Sequence, residues 1–216
     1  MGCIKKNFIS ARKDSAAVGV GTLIIFIAMI LIAGIVASVL IQTMNQLQNQ
    51  AIRTGQDTIS EVSSGLRITQ ISGKVNSSKI SILAIMISPI LSTSNVNLSS
   101  TIIYLSDTNS QVILTYNATC YTSSVDLGLF NSINTSLLQS NEFGVVVIRD
   151  NDVSCTQNTP IINEDDMVVI MVNTTKCFSG IAERTEVFGR ISPEQGIPSI
   201  ISFTVPSVLS DIIIDL

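Results

Sequence analysis

VGVGTLIIFIAMILIAGIVASVLI, from Val18 to Ile41, carries no charge over 24 positions. About 20 apolar residues cross a bilayer as a helix, so this stretch is long enough to span one with some tilt. The leader ahead of it, MGCIKKNFISARKDSA, holds Lys5, Lys6, Arg12 and Lys13 against one acid, Asp14. The apolar run is too long for an ordinary secretory core of about 7–15 residues, and no A-x-A site closes it. Small residues precede it instead, at Ala16 and Ala17. A cut between them would strip the basic leader and leave the apolar helix at the start of the mature chain. The basic residues place the leader in the cytoplasm and the remainder outside.

Beyond Ile41 the pattern changes from uniformly apolar to amphipathic. Leu40, Met44, Leu47, Ala51, Ile52, Ile59, Val62 and Leu66 recur at spacings that are mostly three and four, which mark one helical face. Gln, Asn, Thr and Ser fill the other face, and Arg53 is the only charge between Ser15 and Gln56. The reading is a single helix over Val18–Ser63, on the order of 70 Å long at 1.5 Å per residue. Ser63-Ser64-Gly65 is its stop. A polar but uncharged extension suits a helix packed among copies of itself, where unpaired charge is costly.

From Leu66 onward short Ile/Val/Thr-rich runs alternate with Asn, Ser, Gly and Asp clusters. Strands are predicted at 67–75, 80–88, 101–105, 111–117, 143–149, 167–173, 186–191 and 200–205, with a helical turn or ordered loop within 127–138. Continuous apolar runs such as Val145-Val146-Val147-Ile148 suggest central strands buried on both faces. The fold class expected is α+β: a long N-terminal hydrophobic α-helix followed by an all-β immunoglobulin-like sandwich domain. Its parts are a leader (1–16), a hydrophobic helix (17–65) and an outer β-sandwich domain (66–216).

Composition narrows the function. The leader takes four of the twelve basic residues and one of the sixteen acids, leaving eight against fifteen in the mature chain, a net charge of −7. Such a chain does not suit nucleic acid, whose phosphates require a basic face. There is no histidine, which removes the commonest general base, the His-containing triads and most zinc sites. No P-loop, G-x-S-x-G or complete dinucleotide motif is present, so no catalytic residue, cofactor or cofactor-binding residue is expected.

Three groups of surface residues are candidates for other roles. Five N-x-[ST] sequons, at Asn76, Asn97, Asn117, Asn134 and Asn173, all lie beyond the helix, as suits glycans on an exterior surface. Cys3 falls in the leader, so Cys120, Cys155 and Cys177 remain. One disulfide is compatible with an oxidising exterior, and Cys155–Cys177 closes the shortest loop; buried free thiols are the alternative. Asp150-Asn151-Asp152 and Glu164-Asp165-Asp166 gather carboxylates in turns. Neither has EF-hand spacing, so solvated turns are expected and no metal site.

Three stretches resemble the archaeal flagellins, or archaellins: Gly19–Ile41, then SGLRITQISGKV (Ser64–Val75), then GRISPEQGIPSIISFTVPS (Gly189–Ser207). The middle of the chain, about 76–185, gives no specific match. The resemblance implies a class III signal peptide, cut by a membrane aspartic peptidase of the prepilin-peptidase kind. Aligning Gly19 with the family's glycine at the third mature position puts the cut after Ala16 and makes Ala17 the new terminus. The family pattern before the cut is a basic pair and glycine. Here Asp14, Ser15 and Ala16 stand there, with Arg12 and Lys13 one step further back. Bacterial type IV pilins carry glutamate at the fifth mature position, where this chain has Gly21.

The function expected is a structural subunit that polymerises into the archaellum, the motility filament at the cell surface. Its expected partners are itself and sister archaellins, the prepilin-type peptidase, the archaellum assembly machinery and, as a preprotein, the membrane. The alternative is a type IV pilin-like or membrane-anchored surface adhesin. A filament subunit would leave the cell with sheared filaments, whereas an anchored protein would stay with the membrane.

Overall fold

A computed structural model describes residues 4–90, 95–125, 128–163 and 165–216, with side chains from Ala17 onward. In chain order the elements are α1 (Ile4–Ser63), β1 (Leu66–Asn76), β2 (Lys79–Pro89), β3 (Val96–Asn97), β4 (Ile102–Asp107), β5 (Ser110–Thr122), β6 (Glu142–Arg149), β7 (Ile161–Ile162), β8 (Met167–Val172), α2 (Thr174–Phe178), β9 (Ile181–Ala182), β10 (Glu186–Ser192), β11 (Ser199–Thr204) and β12 (Ile213–Asp215). The chain divides into two compact units, residues 1–56 and 57–216. The first is helix throughout its described length. The second contains the last turns of α1 and every strand.

Helix α1 is one uninterrupted element of 60 residues, because nothing between Ile4 and Ser63 breaks it: no proline, and glycines only singly. It ends at the expected residue. The Ser64 amide still donates to the Ser60 carbonyl at 2.9 Å, and the chain then enters β1 through Gly65. Strands β1 and β2 form a hairpin whose two turn residues, Ser77 and Ser78, both have positive φ, at 55° and 61°. That is the hand matching strand twist, reached here without the usual glycine.

The strands form one ten-stranded sheet in the order β11-β10-β4-β5-β6-β8-β2-β1-β12, with β9 paired to β2; β3 and β7 form a separate pair. Strand β5 is the fold line. Its first half, up to Leu114, pairs antiparallel with β4, and from Thr115 it pairs parallel with β6, with an irregularity between Tyr116 and Tyr121. The two halves of the sheet close over a shared core. Ile103, Leu105, Leu114, Val187, Ile191 and Ile201 come from one half; Leu83, Ile85, Phe143, Val145, Ile170 and Val172 come from the other. The β-domain is thus a sandwich made from one folded sheet.

The parallel β5–β6 pair needs a crossover, and the chain between Thr122 and Glu142 supplies it. This crossover explains the continuous apolar strand. Val145 and Val147 face the main core, while Val146 points into a second one. There Phe130, Ile133 and Leu138 of the crossover cover Val146, Ala84, Val169 and Met171. A two-faced burial therefore requires no alternation along β6 or β8.

Candidate functional site

Within α1, sixteen apolar side chains from Val18 to Ile41 are each between 50 and 69 % exposed, and they lie on every face. Among the described residues this is the one helix long and apolar enough to cross a membrane. Two threonines in and just beyond this stretch bond to their own helix. Thr22 Oγ1 donates to the Gly19 carbonyl and Thr43 Oγ1 to the Leu40 carbonyl, both at 2.9 Å. A hydroxyl spent on its own helix brings no unpaired group into an apolar environment. Ala17 and Gly19 are exposed and helical, and a side chain at Gly19 would meet nothing within 4 Å. The Ala16 side chain and residues 1–3, including Cys3, lie outside the described residues.

The five sequons occupy different environments. Asn76, beside the β1–β2 turn, and Asn134, in the crossover, are exposed. Asn97 caps the short turn after β3, its Oδ1 accepting from the Ser99 amide at 2.9 Å. Asn117 and Asn173 are half-buried, and each amide nitrogen is in use. Asn117 Nδ2 donates to Glu142 Oε2 at 2.6 Å, and Asn173 Nδ2 donates to the Thr135 carbonyl at 2.9 Å. The amide nitrogen is the atom that accepts a glycan, so the folded domain presents Asn76 and Asn134 most openly.

Cys155 and Cys177 do not form the disulfide that loop length favours; with Cys120 they are free thiols. Different anchors hold them. Cys177 Sγ donates to the Ser140 carbonyl at 3.2 Å, ahead of β6. Cys155 follows β6, with its carbonyl held by the Tyr121 hydroxyl and its side chain in the main core. Burial pushes the Cys155 thiol up to about 12, with Asp150 and Asp166 adding to the shift, and pushes Cys177 up to about 11. Neither is a thiolate near neutrality, so neither attacks a disulfide readily.

The acidic turns are not simply solvated. Asp150, Asp152 and Asp166 bring carboxylate oxygens within 4.8 Å of one another, and Asp166 is buried. Asp150 accepts from the Ser154 and Cys155 amides at 3.2 and 3.0 Å. Asp152 accepts from the Ser154 amide at 3.0 Å and Asn163 Nδ2 at 2.9 Å. Asp166 accepts from the Asn151 and Asn163 amides at 3.3 and 3.0 Å. All six oxygens thus accept an N–H, and the bonds of Asp152 to Asn163 and of Asp166 to Asn151 staple the turn at 150–155 to the segment after β7. Bonds from Asn163 and Ser154 hold the Asp152 carboxyl down at about 2, while burial pushes that of Asp166 up. Oxygen donors of this kind are also what a hard divalent cation takes. Sequence reading missed the convergence because the loop between the two turns hides it; the acid content of both turns was the only signal. Glu164 lies outside the described residues.

Comparison with known proteins agrees with the helix and the sandwich together. The family model for archaeal-type flagellin matches residues 16–203. Flagellin B2 of Methanocaldococcus jannaschii is 39 % identical over 207 residues, 94 % of each chain. Flagellin A of Methanococcus voltae is 35 % identical, covering 94 % of this chain and 93 % of its own. The crystal structure of archaeal flagellin FlaB1 from M. jannaschii superposes with a TM-score of 0.63 at 28 % identity, over 70 % of this chain and 96 % of that one. The subunit of the archaeal flagellum of Methanospirillum hungatei shares the fold, with a TM-score of 0.63 at 12 % identity, over 88 % and 95 % of the two chains. The chain belongs to the archaeal-type flagellin family, the structural subunits that polymerise into the archaellum filament at the cell surface.

Proposed function

We propose that residues 17–65 pack against copies of themselves, and of sister archaellins, as the filament core, while 66–216 forms the outer surface. The observation carrying this is the all-round exposure of sixteen apolar side chains along the charge-free stretch Val18–Ile41. A soluble monomer does not leave so large an apolar surface in water. The subunit's contribution is mechanical: it supplies stiffness and curvature to a rotated filament, and no catalysis.

Assembly in this reading follows a cut between Ala16 and Ala17 by a prepilin-type peptidase. Lys5, Lys6, Arg12 and Lys13 hold the leader in the cytoplasm. Left on, they would carry four cations toward the apolar core with every copy, an expensive burial of unpaired charge. Cleavage removes that penalty and releases the subunit to the assembly machinery. Glycans on the outer domain complete the proposal, with Asn76 and Asn134 the leading sites, then Asn97, Asn117 and Asn173.

Sheared filaments test all of this together. N-terminal sequencing should begin at Ala17, and sugar mass should map to sequon peptides and to nothing within 17–63. A terminus inside the leader would overturn the cleavage site and the assembly order built on it. Unmodified asparagine at all five sequons would remove the glycan assignment.

A further inference from the structure

The loop between Pro193 and Pro198 closes on the end of α1. The Ile197 amide donates to the Ser64 carbonyl at 2.9 Å, and Ile197 forms a parallel bridge with Gly65. Ser60 Oγ donates to Gln195 Oε1 at 3.3 Å, and Ser64 Oγ donates to the Ser60 carbonyl. From the other side the Ile90 amide donates to the Gly65 carbonyl at 3.0 Å, and Ser199 Oγ donates to the Leu66 carbonyl. The carbonyls of Ser60, Ser64, Gly65 and Leu66, where helix becomes strand, are all engaged. An element boundary next to a serine-glycine pair would ordinarily be a flexible joint; here it is pinned on two sides.

Gly196 makes this approach feasible. Its φ is +107°, and a Cβ there would lie 2.3 Å from the Ser64 oxygen and 2.9 Å from the Gly65 nitrogen. No side chain fits without moving backbone, so the loop can touch the junction only through glycine. The flanking prolines limit the loop's freedom to move away.

We propose that the Pro193–Pro198 loop is a clamp that holds the last turn of α1, from Ser60, and the Gly65 junction to the start of β1, with Gly196 as its positioning residue. The proposal rests on the helix being the polymerising element. A closed junction leaves no swivel between Ser60 and Leu66, so strain that reaches the end of the helix passes into the domain.

The test uses full-length subunits in native filaments. In Gly196→Ala, hydrogen exchange at the Ile197 amide should quicken about tenfold, the equivalent of one lost hydrogen bond. Val146 and Val169 in the sheet should keep their protection. The filaments should have a shorter persistence length than wild type. Unchanged exchange at Ile197, or wild-type persistence length with quickened exchange, would overturn the proposal. Should the variant lose sheet protection, a second variant decides the matter. Ser60→Cys with Gln195→Cys, joined by a short thiol cross-linker, locks the loop shut. Locked subunits should assemble as wild type, and a block would show that the loop opens during assembly, contrary to a standing clamp. Wild-type assembly in the same preparation is the control: its failure would count against the helix-core reading and leave the clamp to the exchange measurement.

Discussion

Replacing Ile27 by aspartate separates burial of the helix from mere attachment. Ile27 is 50 % exposed on the single chain, so roughly half of its side chain remains to be covered by neighbours. Full burial of such a side chain contributes about 1.5–3 kcal/mol, so covering the rest contributes about 1 kcal/mol against water. Ile27→Ala loses about that amount. Ile27→Asp loses it too and adds an unpaired carboxylate, which in a closed apolar core costs several kcal/mol more. At 1.4 kcal/mol per factor of ten, a total near 5 kcal/mol weakens each subunit's hold by three to four powers of ten. The yield and thermal dissociation of sheared filaments read this out: near wild type for alanine, none or nearly none for aspartate. Carbonate extraction of membranes checks that the aspartate preprotein still inserts, since one carboxylate at a helix centre costs about 2.5–3.5 kcal/mol among many apolar neighbours. Aspartate filaments as abundant and heat-stable as those of the alanine variant would refute the packed-core reasoning.

Three further outcomes concern the outer domain. Phe143, fully buried between the two halves of the sheet, should cost about 3–5 kcal/mol when cut to alanine, lowering the domain's Tm by about 10 °C or more in calorimetry. Gly189→Ala should destabilise by about 1–3 kcal/mol in denaturant unfolding, because its Cβ would sit 2.3 Å from the Tyr104 carbonyl oxygen across the β10–β4 ladder. Asp152 has its carboxyl held down from 3.8 to about 2, so its contribution is present above pH 3.8 and lost as pH falls through 2. The Tm gap between wild type and Asp152→Ala should therefore be present at pH 6 and close toward pH 2; an equal gap at both would contradict the assigned bonds. Asp166, raised by burial, acts in the opposite sense, favouring the fold at low pH and losing that contribution as pH rises through its raised value.

Much of the architecture was legible in the residues, for definite reasons. The helix end at Ser63 and all eight long strands could be read because each is long enough to show composition or periodicity above its turns. β3, β7 and β9, with two residues each, are too short to carry a pattern. β12 owes its strand to tertiary docking, pairing Ile213–Asp215 with Ser72–Lys74. Asp215 Oδ1 accepts from Gln70 and Ser72 there, both at 2.9 Å. The parallel β5–β6 pair was not legible, because whether a crossover returns parallel depends on where the chain lands. The same limit applied to the surface sites. Sequons can be read one by one, but the amide of Asn173 is occupied by a carbonyl 38 residues away, and Asp166 meets Asp150 only after folding.

The cores of the outer domain settle what the helix has left to do. Both are built from residues 66–216 alone among the described residues, so the sandwich completes its burial within itself. It can fold outside the cell while the helix is still held in lipid. In the proposed assembly, leaving lipid for a bundle of identical helices exchanges one apolar surrounding for another, so hydrophobic burial contributes little to that step. Close packing and the absence of unpaired polar groups must supply the difference. The uniform exposure of α1, its locally satisfied threonines and its single small residues at Gly19, Gly21 and Gly34 serve that exchange. Once the filament is in water the same contacts become hydrophobic in full, and that makes assembly hard to reverse. In the proposed assembly the charge-free stretch Val18–Ile41 and the acidic domain are two answers to one constraint: a chain that must be stable in lipid, in a filament core and in water in turn.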